Sequence, residues 1–310
     1  MTTSGIVAEG VRRSFGQVHA VRDVTFQAPE GVVTGLVGPN GSGKTTLLLM
    51  LASLLAPDAG TIRIADVDPI AEPAAARALL GWMPDSLGAW PSLTARETIV
   101  MTGRLSGLTK AAAGERAAVL LGTVGLEDLA DAPAKVLSRG QKQRLGLARA
   151  LVHDPKVLLL DEPASGLDPQ ARIDLRILLR RLAAEGRTVL ISSHILSELE
   201  EVVDDAVFLL RGETVRADRV AQAANRARTW RIRLADRDAT AAALPVAQAL
   251  DLDVATLPVD RRDLLVSFAT DADAARGLAA LIGAGLPVAE FSAATGLLEH
   301  TFLDLEGGAR

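Results

Sequence analysis

Nine consecutive residues constrain this chain more than any others: Gly38, Pro39, Asn40, Gly41, Ser42, Gly43, Lys44, Thr45 and Thr46. The first eight satisfy the Gly-x-x-x-x-Gly-Lys-[Ser/Thr] pattern of a phosphate loop. Its glycines let the backbone curl so that successive N–H groups point inward at phosphate oxygens. The N-terminus of a following helix adds positive potential. Lys44 brings a mobile cation to the β- and γ-phosphates, and Thr45 offers a hydroxyl to Mg²⁺. The flanks agree. A nearly continuous apolar run at 32–37, bounded by Gly31 and Gly38, predicts a strand buried on both faces, as in a parallel sheet. Residues 44–54 predict a helix, stopped by Pro57.

A second apolar run, 157–160, ends in Asp161-Glu162-Pro163. A carboxylate at the end of a buried strand is costly unless it meets a cation or hydrogen-bond donors. Beside a phosphate loop, Asp161 is expected to hold Mg²⁺ and Glu162 to orient and deprotonate the attacking water. The bland alternative is a helix-capping pair. Further strands are expected near 6–26, 61–64, 79–83, 188–192, 205–210 and 213–216, the last two as a hairpin around Arg211-Gly212. Helices are expected over 93–105 (Thr94 with Glu97 at capping-box spacing), 111–124, 141–152, 170–184 and 195–203. Beyond about residue 227 the pattern changes. Strands near 230–234, 254–257, 263–268 and 288–292 alternate with helices at 239–250, 272–283 and 298–305, an order resembling a small split βαβ unit. Pro245 is expected to kink or shorten its helix.

Leu137-Ser138-Arg139-Gly140-Gln141, Ser165-Gly166-Leu167-Asp168 and Ser193-His194, in this order around the loop and the acidic pair, resemble the nucleotide-binding subunit of an ABC transporter over roughly residues 5–220. The resemblance implies an α/β P-loop NTPase of ABC ATPase type, with an antiparallel β subdomain and a helical subdomain at about 88–155. These lie within an ATPase domain at 1–227, followed by a small accessory α+β domain at 228–310. It implies ATP and Mg²⁺ as ligands. It implies that Ser138, Arg139, Gly140 and Gln141 form a signature loop facing the γ-phosphate bound by a second copy. Asp168 then lies at the dimer interface, and His194 senses the γ-phosphate and helps hold the water. Phe15 stands where the family usually has a tyrosine stacked on adenine; a core aromatic and a structural histidine are the plain alternatives for Phe15 and His194.

Two positions depart from the family pattern. Arg139 replaces the first of two usual signature glycines. Trp82-Met83-Pro84-Asp85 ends in an acid where the family usually has glutamine. Asp85 is expected to keep the role of oxygen donor near Mg²⁺, and so to join Lys44, Glu162 and His194 in the catalytic set; otherwise it is a loop acid. Its charge beside Asp161 and Glu162 is expected to raise one of their pKa values without metal.

With one phosphate loop and one signature, the resemblance implies a homodimer with two composite sites. No run of 18 apolar residues occurs; the nearest, 279–298, is broken by Pro287, Glu290 and Ser292. The N-terminal ten residues do not read as a signal peptide. A separate membrane permease is therefore expected, docking near 88–99 with Trp90 and Leu93 as anchors (a buried Trp90 being the alternative), and a peripheral place on the cytoplasmic face of the membrane. The Met-Pro-Asp and Leu-Ser-Arg-Gly forms look like exporters of the ABC-2 type. The alternative is a soluble ABC ATPase working as a mechanical or regulatory module. Net charge is −5 with both signs mixed, so no nucleic-acid partner is expected. Cysteine is absent, which excludes disulfides and thiolate metal sites.

Overall fold

The computed structural model describes residues 5–86, 91–236 and 238–307. It divides into two compact units, 1–215 and 216–310. The division falls before the expected 227, because a helix that the composition did not single out belongs to the second unit.

In the first unit, β1 (Ile6–Phe15), β2 (Val18–Ala28), β3 (Val33–Val37), α1 (Lys44–Leu51), β4 (Ala59–Ile64), α2 (Pro73–Leu79) and β5 (Leu80–Met83) come first. Then follow α3 (Ala95–Leu105), α4 (Lys110–Thr123), α5 (Arg139–Leu151), β6 (Val157–Asp161), α6 (Pro169–Ala184), β7 (Thr188–Ser192), α7 (Leu196–Glu200), β8 (Asp205–Leu210) and β9 (Glu213–Thr214). The nine strands make one sheet in the order β4-β1-β2-β9-β8-β3-β7-β6-β5. From β8 to β5 every pairing is parallel; β1 pairs antiparallel with β2 and β4. Each residue of β3, β6 and β7 is buried, which is why these strands read as unbroken apolar runs.

The core of this unit surrounds α1. Leu47, Leu48, Met50 and Leu51 are fully buried among Ile6, Val11, Val21 and Val24 of the antiparallel strands and Leu36, Leu159 and Leu190 of the parallel ones. Beyond its polar first turn the helix is apolar all round, and most of that length is enclosed. Each such leucine contributes about 1.5–3 kcal/mol by leaving water, so the element that carries Lys44 and Thr45 sits on a rigid base.

Helix starts follow their caps. Thr94 and Glu97 form the reciprocal capping box of α3. Ser138 and Gln141 form the same box on α5, so that helix begins at Arg139 rather than at 141. The signature is thus a helix's first turn. Asp168 caps α6, with Pro169 in its first turn. Arg211 and Gly212 take positive φ (52° and 83°), the tight hairpin turn between β8 and β9.

The second unit begins with α8 (Ala217–Ala224), then β10 (Arg228–Leu234), α9 (Ala239–Leu250), β11 (Val259–Asp260), β12 (Asp263–Phe268), α10 (Asp271–Gly283), β13 (Val288–Ala293) and α11 (Leu297–Gly307). Its sheet has the order β11-β12-β10-β13, all neighbours antiparallel, so β12 is inserted between β10 and β11 in the split arrangement. One expectation changes. Residues 254–257 are not a strand: Asp253 Oδ1 accepts from Ala255 N (3.0 Å) and closes a 3₁₀ turn, Val254–Thr256. Helix α9 spans the expected Ala239–Leu250 without being shortened by Pro245 inside it. Among the described residues no helix is long and apolar enough to cross a membrane.

Candidate functional site

The strand order β3-β7-β6-β5 brings four carboxyl ends side by side. Gly38 follows β3, Ser192 ends β7 with His194 two residues on, Asp161 ends β6 with Glu162 next, and Asp85 lies two residues beyond β5. Asp161 is in register with Ser192. A ligand site in a parallel sheet lies at this edge. A cleft of about 440 Å³ opens here, its walls including His19, Lys44, Thr45, Asp85, Asp161 and Glu162. A larger cleft of about 500 Å³, between α6 and α7, lacks the glycine loop and the carboxylate pair, both of which line the smaller one.

The loop has the shape of a phosphate cradle. A Cβ on Gly38 would meet Leu209 O at 2.3 Å and Ser42 Oγ at 2.6 Å. Gly43 has φ 101°, and a Cβ there would meet Ala20 O at 2.4 Å. Neither position takes a side chain. Ser42 Oγ is buried with no hydrogen-bond partner among the described residues. Lys44 donates from Nζ to Gly38 O (2.6 Å) and Pro39 O (3.1 Å). Burial holds its pKa below the ordinary lysine value, against the pull of Glu162 and Asp161. The ammonium thus rests, largely desolvated, on the loop's own carbonyls.

Asp161 is buried. Its Oδ1 accepts from Ser192 Oγ at 2.5 Å, and its Oδ2 lies 3.5 Å from Thr45 Oγ1. Burial pushes its pKa up, the Ser192 hydrogen bond opposes that, and the negative charge of Asp85 adds to the rise. The expected coupling of the acids thus falls on Asp161. Thr45, Asp161 and Asp85 are hard oxygen donors around one cleft. They fit Mg²⁺ and are too few to enclose it, leaving positions for phosphate and water.

Glu162 adopts φ 52°, in the left-handed region that a glutamate rarely enters. The surrounding bonds hold it there. Its N–H donates to Ser192 O and to Ser192 Oγ (both 3.2 Å), and its carbonyl accepts from Gln143 Nε2 at 3.0 Å. Its Oε2 lies 2.7 Å from His194 Nδ1. A carboxylate oxygen accepts, so the bond is donated by the Nδ1–H of the ring. Loop and carboxylates therefore come together.

Other expected residues lie elsewhere. None of Ser138, Arg139, Gly140 or Gln141 lines the cleft. Ser138 Oγ accepts from Gln141 N (3.2 Å), and Gln141 Oε1 accepts from Ser138 N (2.8 Å). Arg139 donates to Ser165 of its own chain (2.6 Å). Asp168 is exposed, its Oδ1 accepting from Ala171 N at 2.9 Å. Phe15 is 48% exposed, with the Arg13 guanidinium 4.9 Å from its ring centroid; it is not a core aromatic. Leu93 is half-buried, and Trp90 lies outside the described residues. Sequence reasoning missed Ser192, Gln143 and His19. Ser192 had a signal, a hydroxyl ending an apolar strand just before His194.

Such an edge, with a glycine cradle, a parked lysine and a carboxylate–histidine pair, defines a nucleotide-hydrolysing P-loop protein. The ABC transporter family model matches residues 21–165. The chain is 43% identical over 203 residues to Nod factor export ATP-binding protein I of Paraburkholderia xenovorans, covering 65% of this chain and 66% of that protein. It is 41% identical over 205 residues to the uncharacterized ABC transporter ATP-binding protein YxlF of Bacillus subtilis, covering 66% and 68%. Among solved structures, a dimeric ATP-binding cassette in a post-hydrolysis state with ADP and Pi aligns with TM-score 0.63 and 27% identity, over 68% of this chain and 97% of that one. The chain belongs to the ATP-binding proteins of ABC transporters. It is an ATPase that binds ATP and uses Mg²⁺.

Proposed function

We propose that this ATPase drives export of a substrate through a separate membrane permease, as a homodimer closing on two composite ATP sites at the cytoplasmic face of the membrane. One observation carries the dimer: the cleft has a cradle and a carboxylate pair, yet no signature residue lines it. The capped start of α5, with Ser138 at its tip, is a helix end suited to an anion and lies off its own chain's cleft. A two-fold dimer brings each signature to the other copy's cradle, and the aligned cassette is itself dimeric. Export is supported by the relative named for it. Residues 88–99, leading into α3, are the permease's docking region.

ATP, when bound with Mg²⁺, supplies the γ-phosphoryl group and the metal charge that stabilises its transfer. Gly38, Pro39, Asn40, Gly41, Ser42, Gly43 and Thr46 shape and line the cradle, while Phe15 offers a ring face to adenine. Lys44 moves from the Gly38 and Pro39 carbonyls to phosphate oxygens. Thr45, Asp161 and Asp85 hold the metal. Glu162 takes a proton from the attacking water, oriented by the His194 Nδ1–H. Asp168 joins the two copies. Ser138, Gly140 and Gln141 complete the partner's site, Ser138 through its hydroxyl, while Arg139 between them stays on its own chain's Ser165.

Purification from membranes with mass spectrometry of bound partners tests the transport reading. A polytopic membrane protein is expected; ribosomes or nucleic acid in its place would overturn it. For the chemistry, Glu162→Gln lowers turnover roughly 10²–10⁴-fold, keeps ATP binding and traps a dimer. Turnover at the wild-type rate overturns the base assignment.

A further inference from the structure

The segment that carries Glu162 is fastened to α5 at two points. Gln143 Nε2 donates to the Glu162 carbonyl (3.0 Å). One helical turn earlier on the same face, Arg139 Nη2 donates to Ser165 Oγ (2.6 Å). Its side-chain stem covers Gly166, where a Cβ would meet Arg139 Cγ and Cδ, both at 2.8 Å. The approach is close from the other side as well: a Cβ on Gly140 would meet Gly166 O at 2.9 Å. Between the two ties the chain is a tight turn, with Ser165 N–H donating to Glu162 O (3.1 Å) and Leu167 N–H to Ala164 O (3.2 Å). Glu162 itself sits in the left-handed region, so its carboxylate direction depends on what holds the turn.

We propose that Arg139 is a positioning residue for hydrolysis: it clamps the Ser165–Gly166 turn to the first turn of α5 and so, with Gln143, sets the backbone of Glu162. The clamp has a functional consequence that rests on the composite-site reading. The helix whose N-terminus presents Ser138 to one nucleotide is the same rigid element that orients the base acting on the other. A shift of α5 when its tip engages a phosphate is transmitted through Arg139 and Gln143 to Glu162. Arg139 touches no reacting atom in this scheme; a displacement of about 1 Å at the base is enough to lower turnover up to about 10²-fold.

The test uses the full chain and four variants: Arg139→Ala, Arg139→Lys, Ser165→Ala and the Arg139→Ala/Ser165→Ala double. Steady-state ATPase is measured alongside Kd for a fluorescent ATP analogue, and hydrogen exchange is followed over residues 162–168 in the nucleotide-free chain. Arg139→Ala lowers kcat roughly tenfold or more and leaves Kd within about twofold. Ser165→Ala does the same, the double variant is no worse than either single, and Arg139→Lys recovers part of the rate. Exchange over 162–168 rises in Arg139→Ala. A kcat within about twofold of wild type, additive losses, or unchanged exchange overturns the clamp. Should the wild-type chain hydrolyse no ATP, the proposed function fails on that result, and the exchange measurement alone decides the clamp.

Discussion

Ser192→Ala isolates the support beneath the Asp161 carboxylate, the proposed Mg²⁺ ligand. The hydroxyl is buried and donates to Asp161 Oδ1 at 2.5 Å. Its second contact, from Glu162 N–H, is shared with the Ser192 carbonyl at the same 3.2 Å, so that N–H keeps a partner in the variant. The loss is therefore one hydrogen bond to a charged, buried acceptor, about 1.5–3 kcal/mol. For a unit of this size each kcal/mol moves Tm by about 2–4 °C, and a middle figure of about 2 kcal/mol predicts a fall of about 4–8 °C. Asp161 also loses the group that opposes the upward push of burial on its pKa, so its ionised form is disfavoured further. The matching loss in Mg²⁺ affinity is roughly 10–100-fold, the usual effect of removing a partner that orients a ligand. Calorimetry of the nucleotide-free chain in chelator reads the first quantity. The Mg²⁺ concentration at half-maximal ATPase reads the second. A Tm within about 1 °C of wild type, together with unchanged Mg²⁺ dependence, would refute the claim that Ser192 holds Asp161.

Asp161→Asn separates stability from function. Because burial raises its native pKa above the unfolded value, the native state holds the proton more tightly, and stability of the nucleotide-free chain falls as pH rises from the ordinary aspartate range, about 3.9, through the raised value. Above that window the penalty is fully present. The amide removes it: thermal unfolding at neutral pH shows a higher Tm and a flatter pH dependence, while ATPase is lost. A lower Tm contradicts the assignment of burial as the dominant effect. Asp85→Asn keeps an oxygen and removes a charge. It is expected to raise the Mg²⁺ requirement severalfold in a titration of turnover; unchanged Mg²⁺ dependence and turnover leave Asp85 as a loop acid.

The phosphate loop and the buried strands were legible because their physics is local. A glycine cradle between an apolar strand and an apolar helix has few other uses, and strands covered on both faces leave unbroken runs such as 157–160. Caps were legible for the same reason, as at Thr94 with Glu97. The helices Pro73–Leu79 and Ala217–Ala224 were not, being too short for a periodic signal. The strand expected at 254–257 failed because one side chain, Asp253, turned the backbone instead.

What the chain's order of residues determined by itself is the inventory: a cradle, an acid pair, a signature and a histidine, each a short motif whose chemistry follows from residue type. Only the tertiary structure decided which of them meet. Sheet order places β7 between β3 and β6, so Ser192 comes beneath Asp161 and His194 beside Glu162, contacts that span about 30 residues of sequence. It also keeps the signature off the cleft and ties Arg139 back to its own Ser165. Those pairings depend on strand neighbours and helix placement, which are long-range properties that no window of sequence contains.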